Sequence, residues 1–150
     1  MSYITIAQLE ARLGTPLYAR LTDRAVGATA DANVAQQIVD EAEALANSYL
    51  GRRFVTPIDL GARPELSNVL EARVLDLAEY AAWKGSPFVG QIPGRVESIH
   101  VAATAWFERI ATGEIALPAS SSPASRNAVG GEVYFDSRER GFTAEELDGL

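Results

Sequence analysis

Apolar residues that recur at steps of three and four, in stretches bounded by helix-starting and helix-stopping residues, constrain this chain more than any other feature. In residues 31–50 they are Val34, Ile38, Ala42, Leu45 and Tyr49. In 64–84 they are Leu66, Leu70, Val74, Leu77 and Ala81, and in 95–112 Val96, Ile99, Ala103, Trp106 and Ile110. At about 3.6 residues per turn these positions share one helix face, whereas a strand would scatter them over both of its sides. The punctuation agrees. Thr5 and Gln8 form a capping-box pattern, Gly14 stops the short helix that follows to Leu13, and Pro16 opens a further turn to Leu21. Asp31 is the expected N-cap of the second helix and Gly51 its stop. Pro64 and Glu65 suit the first turn of the third, Gly85 closes it, and Gly113 terminates the fourth. Residues 22–29 read as a loop, 52–63 as an irregular connector, and 86–94, with two Pro and two Gly, as an elbow.

Beyond Pro118 the pattern ends. Residues 118–125 are a Pro/Ser/Ala stretch with nothing periodic to pack, and Gly130-Gly131 precedes Glu132-Val133-Tyr134-Phe135, a short patch of strand-favouring residues. Thr143 and Glu146 form a second capping-box pattern ahead of Leu147 and Leu150. The fold expected is therefore all-α: a compact bundle of about four amphipathic helices over residues 1–117, with an extended, partly β or irregular tail at 118–150. Such a tail has too few apolar residues for a core of its own, so its aromatic and leucine side chains are expected to need a partner surface.

Charge and composition exclude several functions. The 150 residues carry 13 basic and 20 acidic side chains, a net charge of −7, which disfavours a protein whose task is to neutralise a phosphate backbone. With no Cys, disulfides and thiolate metal sites are ruled out. No run of residues has the length and apolarity of a membrane span, and no basic segment followed by an apolar core opens the chain. A soluble protein, cytoplasmic where it is made, is expected.

The search for chemistry is short. Glu97 and His100, three apart on one helix, make half of a carboxylate-bridged di-iron site, but a single His cannot supply the second half. Asp76 and Glu79 have the same spacing and could help hold a hard cation, although acidic pairs at that spacing are common on solvated faces. The serines at 120–122 have no rigid element to hold a base beside them, and Gly130-Gly131 lacks the rest of a phosphate cradle. No catalytic residue, metal site or cofactor is expected, and an enzyme is not. Arg52-Arg53 invites comparison with a helix–turn–helix, yet Asp40, Glu41 and Glu43 precede it, and a basic pair after a helix is more simply explained by the helix dipole. Trp83, Trp106, Tyr80 and Phe107 read first as core, with one of each pair available to a neighbouring subunit.

The order and spacing of three segments carry a resemblance: Tyr3-Ile4-Thr5-Ile6-Ala7-Gln8-Leu9, then the run from Ala42 through Tyr49-Leu50-Gly51-Arg52-Arg53-Phe54, then Pro64-Glu65-Leu66. Trp106-Phe107-Glu108-Arg109-Ile110-Ala111 and Gly113-Glu114-Ile115-Ala116-Leu117 extend it. Over residues 3–117 the chain resembles a small helical protein family of Mu-like phages, long catalogued as a domain of unknown function and similar to siphophage head–tail connector proteins. The resemblance implies a virion protein, made in the host cytoplasm, that forms a ring, expected dodecameric, between the portal and the tail or stopper. DNA passes through such a ring without specific binding, and no membrane is involved. The implied partners are the portal protein, a stopper or tail-completion protein, and further copies of the chain. Tyr134, Phe135, Phe142, Leu147 and Leu150 are then the expected portal-binding anchors, and Asp40, Glu41 and Glu43 the acidic residues facing the channel. A tail-completion protein bound to the tail tube, or a small DNA-binding packaging protein, are the alternatives.

Overall fold

The computed structural model describes residues 2–88 and 90–117, and there the capping signals do what their chemistry allows. Thr5 Oγ1 accepts from the Gln8 N–H at 3.2 Å while Gln8 Oε1 accepts from the Thr5 N–H at 2.7 Å, which starts α1 (Ile6–Leu13). Gly14, at φ 80°, turns the chain directly into α2 (Thr15–Thr22). The single turn expected at Pro16 is thus a full second helix. Its buried residues, Tyr18, Leu21 and Thr22, are what extend it, because tertiary burial stabilises an element too short to persist alone. Asp31 caps α3 (Ala32–Leu50) through the Asn33 and Val34 N–H groups. Pro64 opens α4 (Pro64–Gly85), which includes Gly85, and α5 (Gly94–Thr112) ends on Gly113 in the left-handed conformation.

The protein is all-α: five helices and no strand occur among the described residues. The chain divides after Pro118 into two units, and the described helices belong to the first. The expected tail of residues 118–150, its short strand patch and its second capping box all lie outside the described residues.

Packing centres on α4, which contacts every other helix, while α3 and α5 also meet each other. Leu66, Leu70, Val74 and Leu77 on α4, Leu50 on α3, and Phe107 and Ile110 on α5 are all essentially inaccessible. Each such side chain gains about 1.5–3 kcal/mol from leaving water. Ala42 and Ala46 on α3 and Ala78 and Ala82 on α4 are buried in the same cluster, where their small size lets the helix backbones come close. On α5 the buried line is Val96, Ala103, Phe107 and Ile110, so Ile99 and Trp106 lie at its margin. Trp106 meets Phe107 edge to face with centroids 5.1 Å apart and carries the Arg73 guanidinium 5.8 Å above its ring.

The segment before α1 is part of the core rather than a loose end. Tyr3 and Ile4 are buried, and the Tyr3 hydroxyl donates to Asn47 Oδ1 at 2.7 Å while accepting from the Ile58 N–H at 2.8 Å. One phenol thereby ties the N-terminal segment, α3 and the α3–α4 connector together. Burial raises its pKa above that of an ordinary tyrosine, partly offset by the Ile58 hydrogen bond, and the Glu43 charge raises it further.

Candidate interaction surfaces

Asp40, Glu41 and Glu43 are not an equivalent acidic row. Asp40 is exposed and accepts from Gln36 Nε2 at 2.8 Å. Glu41 is exposed at the edge of a groove that also holds Lys84. Glu43 is half-buried and structural: its Oε1 accepts from Ser2 Oγ at 2.6 Å and from the Tyr3 and Ile4 N–H groups at 2.6 and 3.1 Å. Satisfying those donors fixes the N-terminal segment on α3. The expected anchors Tyr134, Phe135, Phe142, Leu147 and Leu150 lie outside the described residues.

Asp76 and Glu79 are the clearest departure from expectation. They are buried, not on a solvated face, at 7% and 3% exposure. Burial of two carboxylates is tolerated because arginines from three helices meet them. From α1, Arg12 reaches Asp76 at 2.7 Å and Glu79 at 3.0 Å; from α5, Arg95 reaches Glu79 at 2.8 Å; from α4 itself, Arg73 reaches Asp76 at 3.4 Å. The carboxylate oxygens that a cation would need are therefore held by guanidinium groups, and the cluster's role is to fix α1 and α5 against α4. The sequence signal was present: Asp76 and Glu79 flank Leu77 and Ala78 on a helix with apolar stripes on more than one side. Arg73 is local, three residues before Asp76, but Arg12 and Arg95 are 64 and 16 residues from their partners, so nothing local marks those two.

The other metal half-site is not assembled either. Glu97 is exposed, whereas His100 lies flat on Tyr80, centroids 3.9 Å apart and planes 15° off parallel. Burial, with a smaller contribution from Lys84, lowers the His100 pKa and favours the neutral ring. His100 Nδ1 has no hydrogen-bond partner among the described residues, nor have Trp83 Nε1 and Thr104 Oγ1. No group of three or more metal-ligating side chains occurs among the described residues, and no helix there is long and apolar enough to cross a membrane.

Three surface features remain. Between α3, α4 and α5 a groove of about 450 Å³ has Ala42, Leu45, Leu77 and Ala81 as its apolar lining and Glu41, Lys84 and His100 at its edges. In the loop after α2, Asp23 accepts four backbone N–H groups, from Ala25, Val26, Ala28 and Thr29 at 2.8–3.1 Å, which holds its carboxyl well below the usual range. That loop carries exposed Val26 and packs Gly27, at φ 76°, against Phe88. At the α3–α4 connector, Arg53 lies against Gly113 so closely that a Cβ there would overlap its guanidinium. The Arg53 side chain thus lies beside the residue that ends α5.

The described body is all-α, with buried charges that hold its helices together and with grooves open on its surface. The family model described as "Bacteriophage Mu, Gp36" matches residues 3–134, and the chain belongs to that family of phage proteins. No curated protein and no solved structure matches.

Proposed function

We propose that this chain is a structural, non-enzymatic head-to-tail adaptor of a tailed phage or prophage, forming a ring between the portal and the tail or stopper through which DNA passes. The observation that carries the reading is the family match over residues 3–134, which makes the chain a phage morphogenesis protein with its place in the virion or, during assembly, in the host cytoplasm. The resemblance of residues 3–117 to siphophage connector proteins supplies the finer position. A rigid helical body with polar chemistry spent on internal ties suits a part that transmits contacts rather than turns over a substrate. The net charge of −7 also fits a conduit wall that repels DNA.

The test is mass photometry of the full chain mixed with the cognate portal ring, beside the chain alone. A discrete gain in mass equal to about one copy per portal subunit is expected, because symmetric rings present equivalent sites. Absence of binding by a chain whose circular dichroism is helical would overturn the portal contact and move the assignment to tail completion. Duplex binding at physiological salt would instead point to a packaging protein.

A further inference from the structure

We propose that the cleft at the α3–α4 connector is a docking site for an acidic polypeptide segment of a partner protein. The cleft measures about 430 Å³ and is lined by Phe54, Val55, Pro57 and Ile58, with the guanidinium-bearing Arg53 and Arg63 on it as well. Val55 is 92% exposed, the most open of the large hydrophobic residues described, so none of the described residues closes over the apolar lining at that point.

The charge of the cleft runs against that of the molecule. Acids outnumber bases by 20 to 13 along the chain, and the arginines elsewhere at helix contacts, Arg12, Arg73, Arg95 and Arg109, each hold a carboxylate. Arg53 and Arg63, the two cations that line the cleft, have no ion-pair partner among the described residues, as is also true of Arg20, Arg24 and Lys84 away from it. The one carboxylate lining the cleft, Asp59, is used locally: its Oδ1 accepts from the Gly61 and Ala62 N–H groups at 2.9 and 3.3 Å. Arg53 is further positioned by its contact with Gly113, so it presents its charge with less rotamer freedom left to lose on binding.

Cationic groups beside an open apolar lining call for a ligand that brings both carboxylates and apolar side chains, which an acidic peptide does. A nucleic acid suits it less well. Two arginines neutralise few phosphates, and the rest of a chain of net charge −7 repels the remainder. The inference concerns the chemistry of the partner segment and does not depend on which virion protein supplies it.

The experiment places a photocrosslinker at the most open residue of the cleft, Val55→p-benzoylphenylalanine, in the full chain in host cells producing particles. Irradiation is followed by mass spectrometry of the joined segment. The expected product is a segment of another protein with net negative charge and at least one large apolar residue, its yield falling about tenfold or more in an R53E/R63E background, as for other charge-reversed contacts. Circular dichroism of the R53E/R63E chain confirms its fold. A crosslink to DNA, to a neutral or basic segment or to a second copy of this chain overturns the proposal. So does a yield unchanged by charge reversal, or no crosslink at all. Mass photometry with the portal reads the adaptor role separately, so either conclusion can fail alone.

Discussion

Arg12 shows how one residue can hold a fold that its own helix does not explain. It bridges Asp76 and Glu79, both nearly inaccessible, from a helix of only eight residues. Arg12→Ala leaves each buried carboxylate short of a donor and is expected to cost about 2–4 kcal/mol, discounted for the partial exposure of the arginine. Arg95→Ala, which removes a single contact from a 69% exposed side chain, should cost clearly less. Urea unfolding of the two variants measures the difference, and equal losses would contradict the bridging role. His100 supplies a pH dependence. Its folded-state pKa lies below the unfolded value of about 6.5, so between the two the unfolded chain binds more protons and stability falls as pH falls. The denaturation midpoint should therefore drop on acidification through that window, and His100→Phe, which keeps a ring against Tyr80, should flatten the drop.

At the scale of elements, the buried line of α5 separates two neighbouring aromatics. Phe107 is fully buried between α3 and α4, stacked 6.4 Å from Tyr49, whereas Trp106 remains half-open under Arg73. Phe107→Ala is expected to destabilise by about 3–5 kcal/mol, through lost transfer energy and a cavity, and Trp106→Ala by much less. Thermal unfolding followed at a helical signal decides it, and a larger loss at Trp106 would refute this reading of the core. The helix starts were legible in the sequence because a cap is local chemistry: Thr5 with Gln8, and Asp31 with the two N–H groups after it, need no other part of the molecule. Gly113 was legible for the same reason, since φ 84° is costly for any residue with a Cβ. The length of α2 was not, because its residues are helical where the rest of the bundle buries them.

For the whole molecule, the acidic residues of α3 separate a structural from an external role. If Asp40 and Glu41 line a DNA conduit, Asp40→Lys with Glu41→Lys should slow genome ejection without loss of stability, and unchanged ejection kinetics would reject the channel-facing role. Glu43→Lys should in addition destabilise the body, since it abandons three donors of the N-terminal segment. The sequence by itself determined the class of this protein, its helix boundaries to within a residue or two, and its family likeness, because periodicity and capping are short-range properties written in neighbouring residues. Only the tertiary structure decided that Asp76 and Glu79 are buried ties, that Glu43 holds the N-terminal segment, that Tyr3 joins three parts of the chain, and that Arg53 crosses to the end of α5. Each of those depends on partners brought together from distant positions, where a polar side chain's role is set by what it meets after burial rather than by its place in the sequence.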